Sequence, residues 1–344
     1  MSPYAETRRV LRLRRGAALV LALLAFFLWR LGDIRRGELA RCRSMAVLHT
    51  AAALTAEDYD RMLEAEGRAD TPVGFALWTQ LDRQYLETTL TGRTAAAAVL
   101  PVSGEIRLVL PTAPALSAED FTGCLIDAQT ALELYGSKDA VGASLLWGEE
   151  EYVVRGVIAS PAHTVVLRPK AGVGAALDCI SVSDSGEAEA FARRHGVNAG
   201  LTVENSVYAY IAGFFAALPL WAVAVLLLGA LLRAARQNRG YPVRRAVLLL
   251  LLAALATGLF IWLLASLPPA WTPSRWSDLD FWSRTLKSAK SGALELAAAK
   301  KYRPDLALLG VLAHSAALCT GALLLVPPVA ALLRPPKNSL FSFS

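Results

Sequence analysis

Four stretches of the chain, 16–31, 207–232, 246–267 and 306–326, are apolar on every face and nearly free of charge, the pattern of helices immersed in hydrocarbon. The first is the shortest. Its wholly apolar part runs only from Ala17 to Trp29, so a spanning helix must recruit Gly16, Arg30 and Leu31, with Arg30 snorkelling to the interface. A basic start before a short apolar core also marks a cleaved signal peptide, but no small-x-small site precedes Arg35 and Arg36, which favours an uncleaved anchor. Pro219 predicts a kink in the second span, and Pro327-Pro328 is expected to end the fourth.

Between 32 and 206 the pattern changes to short, alternating runs. The first part, through Gly67, is helical in pattern: Thr55 can cap a turn beginning Ala56-Glu57-Asp58, and Tyr59, Met62 and Leu63 recur at helical spacing. Strands are predicted at 75–79, 85–91, 95–102, 106–110, 164–167 and 179–182, and a helix over 187–195 closed by Gly196. The most informative stretch is 116–158. Cys124 to Ile126 suits a buried strand, Asp127 can cap a helix over 128–135, and Gly136 stands where a left-handed residue would close it. Two strands follow, 143–147 and 152–158, joined by the charged residues 148–151 as a hairpin. The expected fold is an α-helical membrane protein with four transmembrane helices plus an α+β domain inserted between helix 1 and helix 2.

Composition agrees, since 55% of the residues are hydrophobic and the mean hydropathy is +0.41. Charge sharpens the picture. The net +6 averages two unlike regions: 24 of the 29 acidic residues lie between Leu31 and Ser206, against 15 Lys and Arg there, so the remainder is strongly basic. A basic balance of this origin points to anionic membrane lipid as a partner and away from nucleic acid. Lys and Arg density near the spans sets orientation. It is high at 1–15 and in the loop 233–245, which holds Arg233, Arg236, Arg239, Arg244 and Arg245 and no acid, and lower at 268–304. Both termini, including the tail 327–344, are therefore expected in the cytoplasm of a bacterial plasma membrane, with 32–206 and 268–304 outside.

Trp271, Trp276, Phe281 and Trp282 crowd the outer loop 268–304, as an interfacial aromatic belt or as a surface that docks the external domain or a hydrophobic substrate. Cys124 and Cys179 both sit in apolar, strand-like runs, and an oxidising exterior would allow them to pair. Cys319, within an apolar span, reads as a packed small hydrophobe. The sequence has no Walker A loop, no Gly-x-Ser-x-Gly and no His-Glu-x-x-His, and its four histidines stand apart from acids at ligand spacing. No cofactor, metal site or catalytic activity is expected. Apart from His314 the spans lack the ionisable groups of an ion-driven carrier, so energy is expected from a partner.

The order strand, Asp127, helix ending in Gly136, Val141-Gly142, strand, charged turn, Tyr152-Val153-Val154-Arg155-Gly156-Val157 resembles the extracytoplasmic core domain of bacterial ABC-transporter permeases of the MacB/FtsX type. The succession of one span, an external domain and three spans is similar too. The resemblance implies a permease-type subunit that couples a cytoplasmic ABC ATPase to motion of the external domain, beside a second permease chain. It places the ATPase contact in 233–245, where Arg239-Gly240 and the basic pair Arg244-Arg245 match the end of the family's loop. The acidic-apolar stretch that precedes that glycine in the family is lacking, which leaves a plain inside anchor as the other reading of the arginines. The alternative function is a membrane-anchored extracytoplasmic binding or scaffold protein without ATPase coupling.

Overall fold

The computed structural model describes residues 3–89, 91–117, 119–161, 163–169, 176–266, 279–298 and 300–334. They divide into a sheet-rich unit, Glu38–Ala209 with Ala298–Val311, and a helical unit, Met1–Gly37, Tyr210–Ala297 and Leu312–Ser344.

In the sheet-rich unit the strands are β1 (Ala46–Leu54), β2 (Phe75–Trp78), β3 (Leu81–Thr88), β4 (Thr94–Gly104), β5 (Gly123–Asp127), β6 (Ser144–Trp147), β7 (Glu150–Ile158), β8 (Thr164–Leu167), β9 (Leu177–Val182) and β10 (Ala199–Glu204). They hydrogen-bond in the order β10-β1-β9-β2-β4-β3-β6-β7-β5-β8, and a further parallel β4–β8 pairing closes β4, β3, β6, β7, β5 and β8 into a ring. The long strand β4 belongs to both halves: Val102–Gly104 pairs with β2 and Thr94–Val99 with β3. Successive side chains on a strand point to opposite faces. Leu125 and Val166 therefore join the core around Trp78 and Leu100, while Cys124, Ile126 and Val165 join the one around Leu134 and Tyr152. Both faces are covered, which is why these strands read as continuous apolar runs.

Three helices pack on this framework: α2 (Ala56–Glu66), α3 (Ala128–Tyr135) and α4 (Ala188–Arg194). Thr55 and Asp58 form the reciprocal capping box at the start of α2. Asp127 caps α3 by accepting from Gln129 N and Thr130 N, and Gly136, at φ +75°, ends it. A third core, around Phe75, Ile180 and Phe191, lies under α2 and α4.

The long helices are α1 (Pro3–Ala40), α5 (Ser206–Gln237), α6 (Pro242–Ser266), α7 (Leu279–Ala298) and α8 (Arg303–Leu333). Four of them, all but α7, contain segments long and apolar enough to cross a membrane. Their outward positions carry Leu19, Phe27, Leu250 and Leu324, each more than half exposed, a surface that water would not tolerate on a stable monomer but hydrocarbon satisfies. Within the helical unit, Gly32 allows α1 and α8 to approach. A Cβ there would meet Cys319 Sγ at 2.6 Å, and Ser315 Oγ donates to Gly32 O at 2.9 Å. Trp29 Nε1 donates to Ala216 O at 3.0 Å, tying α1 to α5.

Several elements differ from the sequence reading. Residues 46–54 were expected within a helical first part and form β1, since Ala-rich Ala46–Leu54 finds backbone partners on both β9 and β10. The strand predicted at 106–110 is a 3-10 turn, Ile106–Leu108, whose Ile106 carbonyl takes Val109 N and Leu110 N instead of a neighbouring strand. Helix α8 itself carries both Pro327 and Pro328 and runs on to Leu333. Helix α1 extends beyond 16–31 through the basic segments on either side.

Candidate functional site

The sequence-predicted arginine loop is a tight helical hairpin. Helix α5 ends at Gln237, Asn238 donates through Nδ2 to Ala234 O at 2.8 Å, and Pro242 opens α6. Proline suits that first helical position because its missing N–H would have no partner there. Arg233, Arg236, Arg239, Arg244 and Arg245 are all exposed, as is Gly240, so the hairpin brings the five guanidinium groups to one end of the helical unit. Arg236 lies in the last turn of α5, where the helix dipole favours a cation. Arg244 and Arg245 lie in the first turn of α6, which has no acidic residue, and there the dipole opposes them. Arg244 sits over the Tyr241 ring at 5.1 Å. An uncompensated basic helix start of this kind is suited to an external anion.

Of the four aromatic residues, Trp271 and Trp276 lie outside the described residues. Phe281 and Trp282, in the first turn of α7, pack edge to face at 5.4 Å. The Cys124–Cys179 pairing is not formed. Cys124 is on β5 and Cys179 on β9, strands far apart in the sheet order whose thiols enter different cores, and both are free and buried. Burial raises both thiols, Cys124 to about 12, so neither forms a thiolate at neutral pH.

A second constellation has no counterpart in the sequence reading. Tyr302, just ahead of α8, is buried in the sheet-rich unit. Its ring stacks on His49 of β1 at 5.2 Å and meets Trp78 of β2 edge-on at 5.5 Å. Trp78 Nε1 donates to Ser181 Oγ at 2.9 Å, and Cys179 Sγ lies 3.3 Å from His49 Nδ1. The start of α8 is held from both sides: Tyr302 N donates to Asp305 at 3.1 Å, the second half of a capping box, and Arg303 N donates to Gln80 Oε1 at 2.6 Å. Burial lowers the pKa of His49 against the opposing pull of Asp305 and Asp178. Burial thus favours the uncharged imidazole where it stacks on Tyr302. The only sequence trace of this dock is Asp305 three residues after Tyr302 at the head of an apolar run.

A third cluster is structural. The buried Glu66 carboxylate accepts from Val73 N at 2.9 Å, from Arg194 Nε at 3.1 Å and from His195 Nε2 at 2.8 Å, joining α2 to the end of α4. Burial acts to raise its pKa, but the hydrogen bonds from Arg194, Val73 and His195 prevail and hold it below the usual carboxylate range.

No protein-family model matches the chain, and no curated protein matches it. Solved structures do. The chain is similar to the periplasmic region of MacB from Actinobacillus actinomycetemcomitans, at 11% identity and TM-score 0.37, over 48% of this chain and 91% of that one. It is also similar to the extracellular domain of the noncanonic ABC-type transporter YknZ from Gram-positive bacteria, at 13% identity and TM-score 0.35, over 45% of this chain and 96% of that one.

Proposed function

We propose that the protein is a permease-type subunit of an ABC transporter complex, in which a cytoplasmic ATPase drives motion of the extracytoplasmic sheet-rich unit. The observation that carries this reading is the dock at Tyr302. A helix apolar enough to span a membrane begins inside the core of the sheet-rich unit, fastened by stacking, hydrogen bonds and a cap, so displacement of α8 moves strands β1, β2 and β9 with it. A flexible tether would not do this. The exposed arginine hairpin supplies the other half of the reading, as the surface on which the ATPase acts, and a second permease chain completes the complex. Export of a substrate and pure mechanical transmission both follow from such a device.

The test is co-purification with the partner ATPase followed by charge reversal, Arg236→Glu with Arg239→Glu. Loss of chain-stimulated ATP hydrolysis with the chain still inserted supports coupling. Unchanged hydrolysis removes it and favours an anchored scaffold, a reading that the brevity of the hairpin between Gln237 and Pro242 also supports.

A further inference from the structure

Among the described residues only Arg83, at φ +54°, and His163, at φ +59°, are non-glycine residues in the left-handed region, and both line the same cleft of about 570 Å³. Side chains beyond glycine avoid this backbone, and where it persists the surroundings must impose it. They do so here. Arg83 lies in a bulge of β3, where the register against β4 shifts between Leu81 and Gln84. His163 is fixed through its carbonyl, which accepts from Ala98 N at 2.8 Å, and through the next residue, Thr164, whose N donates to buried Asp127 at 2.7 Å. Ala96, Ala97 and Ala98 of β4 also line the cleft, with Ala97 and Ala98 turned into different cores, so this side offers only backbone and small side chains.

The walls are basic. Arg83 has no hydrogen bond or ion pair among the described residues, and Arg303 stands on the cleft with its backbone held by Gln80. The one lining carboxylate, Asp82, is engaged by Gln80 Nε2 at 2.6 Å and faces Lys300 Nζ at 4.0 Å. His163 Nδ1 is buried without a hydrogen bond, 3.5 Å from Glu133. Arginine forks beside these small residues match the oxygens of a phosphate group. Arg303 also opens α8, whose next turn is Leu306, Leu308 and Leu309, so the cleft stands one helical turn from the apolar sequence of a candidate span, where lipid headgroups would be met.

We infer that this cleft binds the phosphate of an anionic lipid headgroup, with Arg83 and Arg303 as its ligands. The inference is independent of ATPase coupling. It is tested on the full chain in phosphatidylcholine nanodiscs with and without phosphatidylglycerol, in an Arg236→Gln/Arg239→Gln background that removes competing sites, with retained lipid counted by native mass spectrometry. Glycine accepts the left-handed backbone, so Arg83→Gly should leave the thermal midpoint unchanged or higher while phosphatidylglycerol retention weakens about tenfold, the loss of one charge-assisted contact. Inorganic phosphate that binds in phosphatidylcholine alone, and is lost in Arg83→Gly, keeps the phosphate site but assigns it to a soluble phosphate. Equal retention of lipid and of phosphate by Arg83→Gly and its parent overturns the proposal.

Discussion

Leu250 on α6 and Tyr85 on β3 are exposed to nearly the same degree, 71% and 78%, yet they stand in different solvents. Tyr85 alternates with buried Leu86 on a strand whose polar neighbours face water, whereas Leu250 lies within an unbroken run of leucines with no polar neighbour on any face. The sheet-rich unit is organised by paired polar groups inside closed cores. The helical unit has few such groups and presents its apolar side chains outward. What holds one together would not hold the other, and substitutions should separate them.

The largest effect is expected at Glu66. Glu66→Ala leaves Arg194, His195 and Val73 N without their shared acceptor, and breaking a buried ion pair from one side costs about 3–5 kcal/mol. Hydrogen exchange should show α2 and α4 losing protection together, while the helical unit keeps its own. Uniform loss across both units would mean that they do not unfold separately.

Next is the matched pair Leu250→Arg and Tyr85→Arg. An arginine within a lipid-facing span costs roughly 2.5 kcal/mol or more on insertion, whereas a surface change away from any special contact stays within about 0.5 kcal/mol. Glycosylation-based insertion assays should register the first and thermal unfolding should barely register the second. Equal effects would erase the distinction between the two surfaces.

The smallest expected effect is that of pH on the dock. His49 is held neutral, with its pKa below the ordinary 6.5. As pH falls through the range below 6.5 the unfolded chain takes up a proton that the folded site resists, so stability declines with acidification. Asp305, Asp178 and Cys179 face the same ring and temper this decline. His49→Gln should flatten the slope between 6.5 and the carboxylate range, leaving the fall from Glu66, whose stabilisation is lost only below about 4.5. An unchanged slope would place the titration elsewhere.

Local signals were legible in proportion to how much of the structure they determine. Helix α3 has the bounds read from sequence because Asp127 and Gly136 fix both ends by contacts within a few residues. Strand β8 likewise falls at 164–167. β1 was misread because alanine favours helix locally and only distant partners, β9 and β10, make it a strand. The Cys124–Cys179 pairing failed for a related reason, since apolar runs show that a residue is buried but not in which core. The dock was invisible because His49, Trp78, Cys179 and Tyr302 are joined by the sheet order alone, and nothing periodic connects them.

The proposed topology puts the arginine hairpin and the sheet-rich unit on opposite sides of a membrane, and it is tested most directly by labelling intact cells with a membrane-impermeant maleimide. The native thiols are buried, so single substitutions can be read against a quiet background. Glu149→Cys, on the exposed β6–β7 turn, should label from outside, and Arg239→Cys should label only after the membrane is opened. Labelling of both positions from the same side would contradict the placement.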